Sequence, residues 1–314
     1  LHRAAPRRKR SGETSHGERA MPELPEVETV RRGLEPWLAG ARIEKVVLNR
    51  KDLRFPFPKG LAKALEGKTI DSIGRRAKYL LFRLDSGMTL LSHLGMTGSY
   101  RFEGRKYKEP SRYYEPDQDQ KHDHMRIEVI HPEHGQLTVI YNDARRFGFV
   151  DLFRIEDESP YLHGLGPEPL GNAFSAVSMA EKFAGKKAPM KAALLDQRVV
   201  AGLGNIYVSE ALHRAHIRPT TEARKLVLKS GAPSARLEAL ADSVRVVLTE
   251  AVDAGGSTLR DFRDAEGGSG YFQHRFAVYD REGEPCPTPG CKGVIKRIVQ
   301  SGRSTFYCPV CQKA

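Results

Sequence analysis

The chain has 314 residues, with 51 Lys and Arg against 39 Asp and Glu and a formal net charge of +12. That length suits about two domains and buries a sizeable core without disulfide staples; the basic surplus favours an anionic partner, nucleic acid ahead of an acidic membrane surface. No apolar run approaches the ~18 residues that would cross a bilayer. Residues 1–20 carry Arg3, Arg7, Arg8, Lys9, Arg10 and Arg19 but no apolar stretch behind them, so they are not expected to act as a secretory signal. They read as a disordered extension or as sequence upstream of the true start, because Met21 opens the ordered pattern abruptly. A cytoplasmic protein is expected.

In chain order, residues 22–38 predict a helix: Val27, Val30, Leu34 and Leu38 recur at helical spacing, Pro25 suits the first turn and Gly40 ends it. Strand-like runs follow at 43–48, 79–84, 89–91, 126–130, 137–141 and 147–153, separated by turn residues such as Asp85-Ser86-Gly87. Many short strands behind one helix predict a β-sandwich rather than a βαβ fold. Residues 103–124 are polar and tyrosine-rich and read as an exposed loop or insertion. His122, Asp123 and His124 make no convincing metal site there, since adjacent residues of a strand point to opposite faces.

Beyond Pro160 the texture turns helical, at 175–184, 190–195, 206–215, 221–230 and 234–252. The last carries Leu237, Leu240, Ala241, Val244, Val247, Leu248 and Ala251 on one broad face before Gly255-Gly256 stops it. A glycine-rich polar segment, 264–270, leads to a final module with small strands expected at 276–279, 294–299 and 304–307.

All the cysteines fall in that module, as Cys286-x4-Cys291, sixteen residues, then Cys308-x2-Cys311. Each close pair supplies two thiolates from a turn, and the intervening hairpin brings the pairs around a tetrahedral ion. Soft, all-sulfur ligation leaves no position for water, so one structural Zn2+ and no organic cofactor are expected. A module this small lacks an apolar core of its own, so metal should supply much of its folding free energy. Lys292, Lys296, Arg297 and Arg303 on it serve either solubility or phosphate binding, with Arg303 at the hairpin tip placed for bidentate contact. A four-cysteine ribbon alone does not separate DNA repair from transcription or RNA binding.

The segment Met21-Pro-Glu-Leu-Pro-Glu-Val-Glu-Thr29 resembles the amino terminus of the formamidopyrimidine-DNA glycosylase family, whose mature chains begin at that proline. The likeness recurs at Arg75-Arg76-Ala77-Lys78-Tyr79-Leu80, His93-Leu94-Gly95-Met96-Thr97-Gly98, Asn142-Asp143-Ala144-Arg145-Arg146-Phe147-Gly148, Gly202-Leu203-Gly204-Asn205-Ile206-Tyr207 and the cysteines, in family order. The resemblance implies a multidomain α+β protein: an N-terminal β-sandwich with a leading helix (21–155), a helix–two-turns–helix domain (156–262), and the end of a lesion loop with a zinc finger (263–314). Duplex DNA containing oxidised purines or abasic sites would lie in a basic cleft, bound by a monomer.

The resemblance also implies the chemistry. A proline after methionine usually only starts a helix, but with Met21 removed its nitrogen is a free secondary amine, able to form an iminium with a sugar carbon. Pro22 would displace the damaged base, and β,δ-elimination would then cut the strand. Glu23 would move protons at the sugar, Glu26 would orient the site, and Lys78 would bind phosphate near the scissile nucleotide. His93 would support its loop, and Glu28 would be helix surface. Met96, Arg145 and Phe147, with Arg146 beside them, would fill the hole left by the everted nucleotide. Lys191 would lie near the damaged base or its backbone, and Asn205 at a phosphate-binding helix start. Residues 255–271 would form a lid, and Arg303 would contact phosphate. Two alternatives stand beside this reading: an endonuclease-VIII-like enzyme for oxidised pyrimidines, and a noncatalytic zinc-ribbon DNA-binding protein.

Overall fold

The structure, a computed structural model, describes residues 21–103, 119–154, 159–257 and 272–314. The expected extension at 1–20, most of the expected 103–124 loop and most of the lid lie outside those residues.

Helix α1 (Leu24–Leu38) opens the fold, with Glu23 as its N-cap and Pro25 in the first turn. Its apolar stripe divides between two cores: Val27, Val30, Leu34 and Leu38 enter the N-terminal core, whereas Leu24 enters the helical one. Strands β1 (Arg42–Leu48), β2 (Ile70–Arg76), β3 (Tyr79–Leu84), β4 (Thr89–His93), β5 (Gly98–Phe102), β6 (Asp123–His131), β7 (Gly135–Asp143) and β8 (Phe149–Phe153) follow, with short helix α2 (Leu61–Leu65) after β1. They form two four-stranded antiparallel sheets, ordered β1-β6-β7-β5 and β2-β3-β4-β8. Alternating apolar residues of both sheets, among them Ile43, Ile127, Val139, Ile73, Phe82 and Leu90, share one core, which makes the sandwich.

The sequence pattern misses β2, β5 and α2. Strand β2 is rich in Asp71, Ser72, Gly74, Arg75 and Arg76, and buries only Ile70 and Ile73. Segment 119–124, expected as loop, instead holds a 3-10 turn (Gln120–His122) and the start of β6.

The helical part contains α3 (Ala176–Phe183), α4 (Met190–Leu195), α5 (Asn205–Arg214) and α6 (Ala235–Asp253). Two turns between α4 and α5 bring the start of α5 to the first turn of α1, where the Leu24 amide donates to the Gly202 carbonyl at 3.1 Å. The helix expected at 221–230 is only a 3-10 turn at Ala223–Leu226. Its amides are spent elsewhere: Ala223 donates to Ala188 O and Arg224 to Lys186 O. Tertiary hydrogen bonds override the local preference.

The C-terminal hairpin, β9 (Lys296–Gln300) and β10 (Arg303–Tyr307), carries the cysteine module. Segment 276–279 is not a strand: the amides of Ala277, Val278 and Tyr279 all donate to the buried Glu210 carboxylate of α5. Val278, Ile295 and Phe306 join the helical core, so the finger shares that core instead of standing apart. Replacing Glu210 by Ala strands three donors, two of them buried and the Ala277 amide half-buried. Urea unfolding should register a loss of about 3 kcal/mol or more, at one to three per unsatisfied group.

Candidate active site

Both glutamates at the start of α1 are buried, Glu23 at 3% and Glu26 at 0% exposure. Glu23 caps α5 from outside: Oε1 accepts the Ile206 amide at 2.9 Å and Oε2 the Tyr207 amide at 3.5 Å. These donors and the helix dipole favour the anion, but burial outweighs them and pushes the carboxyl pKa up to about 7; Lys78 pulls it down and Glu26 pushes it further up. A Cβ at Gly204 would sit 2.2 Å from the Glu23 carboxyl carbon, so the turn before α5 needs glycine there. The α5 start was expected to hold phosphate through its amides; two of them hold Glu23 instead.

Glu26 ties the site together. Its Oε2 accepts the Glu23 amide at 2.9 Å, while Oε1 accepts the Tyr207 hydroxyl at 2.5 Å and the amide and hydroxyl of Ser257 at 2.8 Å each. The resemblance implied an orienting carboxylate at Glu26; it gave no role to Tyr207 and Ser257, which come from distant segments.

Lys78 stands in the β2–β3 turn beside Ala77, whose φ is 52°. A clamp from the helical side fixes this turn: the Glu168 carboxylate accepts Arg75 Nη1 at 2.7 Å, Arg76 Nη1 at 2.8 Å and the Ala77 amide at 2.6 Å. Arg75 also pairs with Glu28 at 3.0 Å. Glu28 is therefore no plain surface residue; it is mostly buried among Arg31, Arg32 and Arg75, and Arg31 and Arg75 hold its carboxyl below the usual range despite burial. Burial lowers the Lys78 pKa, with Glu23 opposing and Arg303 reinforcing that shift.

A cavity of about 190 Å³ opens here, lined by Met21, Lys78, His93, Gln197, Leu203 and Arg303 among others. Pro22 is buried next to Met21, which lines the cavity, and its nitrogen is in the peptide bond with Met21. His93 accepts the Gly95 amide through Nδ1 at 3.1 Å and stacks on Phe149. Burial, with Lys78 and Arg54 nearby, lowers its pKa to about 4, so the ring is neutral and supports its loop.

Met96 lies half-buried in the β4–β5 turn. Between β7 and β8, Arg146 is exposed at φ 57°, and Phe147 is 44% exposed with the Arg145 guanidinium 4.6 Å from its ring centre. An exposed aromatic under a cation has no packing role, which suits a surface meant for another molecule.

Lys191 departs from expectation. It is 0% exposed, and its ammonium donates to Ser304 O at 2.7 Å and Thr305 Oγ1 at 2.5 Å. Asn205, at the first position of α5, donates to the same Ser304 carbonyl at 3.0 Å, and its Oδ1 has no partner among the described residues. Both side chains thus latch the finger hairpin, with Arg303 next to the latch and at the cavity.

The four cysteine sulfurs lie within 4.8 Å of one another, with Cys286–Cys311 at 3.7 Å and Cys291–Cys308 at 3.6 Å. A tetrahedral ion about 2.3 Å from each sulfur sets these edges near ~3.8 Å, so the residues fit one structural Zn2+ with no open position. His213 of α5, absent from the sequence reading, approaches Cys286 Sγ at 3.4 Å as an outer-shell contact.

Fold and site define a DNA-binding base-excision enzyme: a sandwich and a helix–two-turns–helix unit joined at the buried Glu23, a cavity lined by Lys78, and Arg303 of a zinc finger at that cavity. The chain matches the formamidopyrimidine-DNA glycosylase N-terminal domain over residues 21–150, the H2TH domain of the same family over 165–263, and the zinc finger found in FPG and IleRS over 283–314. It is 57% identical over 298 residues to a formamidopyrimidine-DNA glycosylase of Rhodopseudomonas palustris and 54% over 301 residues to that of Agrobacterium fabrum, in each case covering 93% of this chain and 100% of the relative. A Lactococcus lactis Fpg bound to abasic-site DNA superimposes with TM-score 0.76 at 36% identity, covering 93% of this chain and all of that one. The Thermus thermophilus MutM (Fpg) protein does so with TM-score 0.74 at 40% identity, over 93% and 98% of the two chains. The chain belongs to the formamidopyrimidine-DNA glycosylase family. Among the described residues no helix is long and apolar enough to cross a membrane.

Zinc removal should free the hairpin and with it Arg303. Purified protein should contain about one zinc per chain, and chelation should weaken duplex binding about tenfold or more.

Proposed function

We propose that Pro22, once its nitrogen is free, is the nucleophile of a bifunctional DNA glycosylase and AP lyase acting on oxidised purines. The observation that carries this reading is the buried Glu23 that directly follows Pro22: its pKa is near 7, and it feels the charge of Lys78, which lines the cavity together with Met21. The unprotonated proline nitrogen attacks C1′ of the everted nucleotide, and the C1′–N bond to the base breaks. Glu23 holds its proton close to neutrality, so it can give that proton to the sugar ring oxygen and take one back later. The resulting iminium acidifies the C2′ proton; its loss expels the 3′ phosphate, and a second elimination expels the 5′ phosphate. Lys78 and Arg303 neutralise phosphate charge at the cavity mouth. Glu26 keeps Glu23 and the Ser257 end of α6 in register.

The Lactococcus lactis relatives have been solved with DNA containing an abasic site or Fapy-dG, which supports damaged purines as the substrate here too. Met96, Arg145 and Phe147, aided by Arg146, fill the vacated stack; Arg145 meets the orphaned base. Asn205 contributes at the phosphate backbone if its amide is released from Ser304. On this reading the protein is a monomer acting on cytoplasmic DNA.

With Met21 removed, borohydride should trap a covalent adduct on an 8-oxoguanine·cytosine duplex, and mass spectrometry should find it on Pro22. A chain retaining Met21 should give none. An adduct on Lys78, or a preference for thymine glycol, would contradict the proposal.

The pH profile should also carry the signature of Glu23. A raised carboxyl pKa keeps the acid protonated below about 7, so base excision should fall as pH rises through that value. Glu23→Gln should lower excision about 100-fold or more and abolish that alkaline limb.

A further inference from the structure

Met96 and the Arg145–Phe147 group lie on two different turns, and each turn crosses from one sheet of the sandwich to the other. Strands β4 and β8 belong to one sheet, β5 and β7 to the other. One buried side chain joins the two crossings. Asp143 is 0% exposed; its Oδ1 accepts the Thr97 hydroxyl at 2.5 Å, and its Oδ2 accepts the Gly148 amide at 2.8 Å and the Tyr141 hydroxyl at 3.4 Å. Thr97 Oγ1 in turn accepts the Arg145 amide at 3.0 Å. The amides on either side of Arg146 and Phe147 are therefore held by the neighbour of Met96 and by Asp143. The two backbones also touch: a Cβ at Gly95 would lie 2.3 Å from Gly148 N, and one at Gly148 would lie 1.9 Å from the Tyr141 hydroxyl.

Asp143 makes no ion pair among the described residues. A carboxylate buried without a counter-ion is tolerated only when donors fill its oxygens. Here two of those donors belong to the turns themselves. Neither turn can move alone without stranding a buried charge, so the turns should move together or not at all.

We propose that Asp143, acting through Thr97, is a positioning residue that presents Met96, Arg145 and Phe147 to the duplex as one preformed wedge. The proposal rests on the reading above, in which those three residues replace the everted nucleotide. Preforming the wedge removes the ordering cost of two loops from the moment of insertion. The need for Asp143 should accordingly follow the stacking of the substrate and not the sugar chemistry.

The test uses the processed full chain with zinc bound. Single-turnover excision from a paired 8-oxoguanine·cytosine duplex is compared with borohydride trapping on a single-stranded oligonucleotide carrying an abasic site, which has no stack to enter. Asp143→Asn and Thr97→Val should lose about tenfold or more on the duplex, the scale of one lost charge-assisted hydrogen bond, and stay within about twofold of the parent on the single strand. Thr97→Ser, which keeps the hydroxyl, should restore duplex activity. Should Asp143→Asn fold poorly, the Thr97 pair decides alone. Equal losses on both substrates, or no loss on the duplex, would overturn the proposal. Phe147→Ala separates the two layers: normal duplex excision by that variant would defeat the wedge reading itself, whereas a loss there with none in Thr97→Val would defeat only the role of Asp143.

Discussion

The Glu23 carboxylate lies at the first turn of α1 and at the first turn of α5 at once, accepting the Ile206 and Tyr207 amides across the seam between the two cores. A helix start normally offers its free amides to solvent, a cap or a phosphate. Here they go to an acid whose own backbone follows directly on Pro22. The interaction fixes the domains relative to each other and places the acid in the dry space beside the cavity. Burial raises its proton affinity, and the amides keep the anion attainable, so both protonation states are accessible near neutrality. Gly204 and Gly202 follow from the same contact, because side chains there would meet Glu23 and Leu24.

Helix α5 carries this constraint outward. Its N-terminus holds Glu23, its middle supplies Glu210 to the 277–279 amides, and its end places His213 against the zinc-site sulfurs. Asn205 and Lys191 add a second tie, to the Ser304 carbonyl of the hairpin. The finger is thus an extension of the helical core, held by metal on one side and by apolar residues on the other. Arg303 reaches the cavity because both supports are in place.

Much of this was legible in the residues. Apolar periodicity found α1 and α6, alternation found most of the sandwich strands, and thiol spacing found the metal site. Pro22, Glu23 and Lys78 entered through their motifs, and Glu23 and Lys78 lie close enough to shift each other's proton affinity. What escaped depends on partners far away in sequence. Strand β2 was missed because it buries only Ile70 and Ile73, and its Arg75 and Arg76 serve the Glu168 clamp. Segments 221–230 and 276–279 followed their local preference on paper, yet their amides belong to 186–188 and to Glu210. Lys191 was expected near the damaged base or its backbone, and in the fold its ammonium is a buried latch on the hairpin. Asp143 sat inside a recognised motif without a role, since only its position between two turns gives it one.

The most direct test of this account is the titration of Glu23 itself, by carbon-detected NMR of the carboxyl in zinc-loaded protein. The account predicts a midpoint near 7, moving down when Lys78 and the α5 amides gain influence and up when Lys78 is neutralised. A midpoint at the ordinary value of 4.5 would mean that burial does not outweigh Lys78 and the α5 amides, and that Glu23 holds no proton near neutrality. It would contradict the central claim.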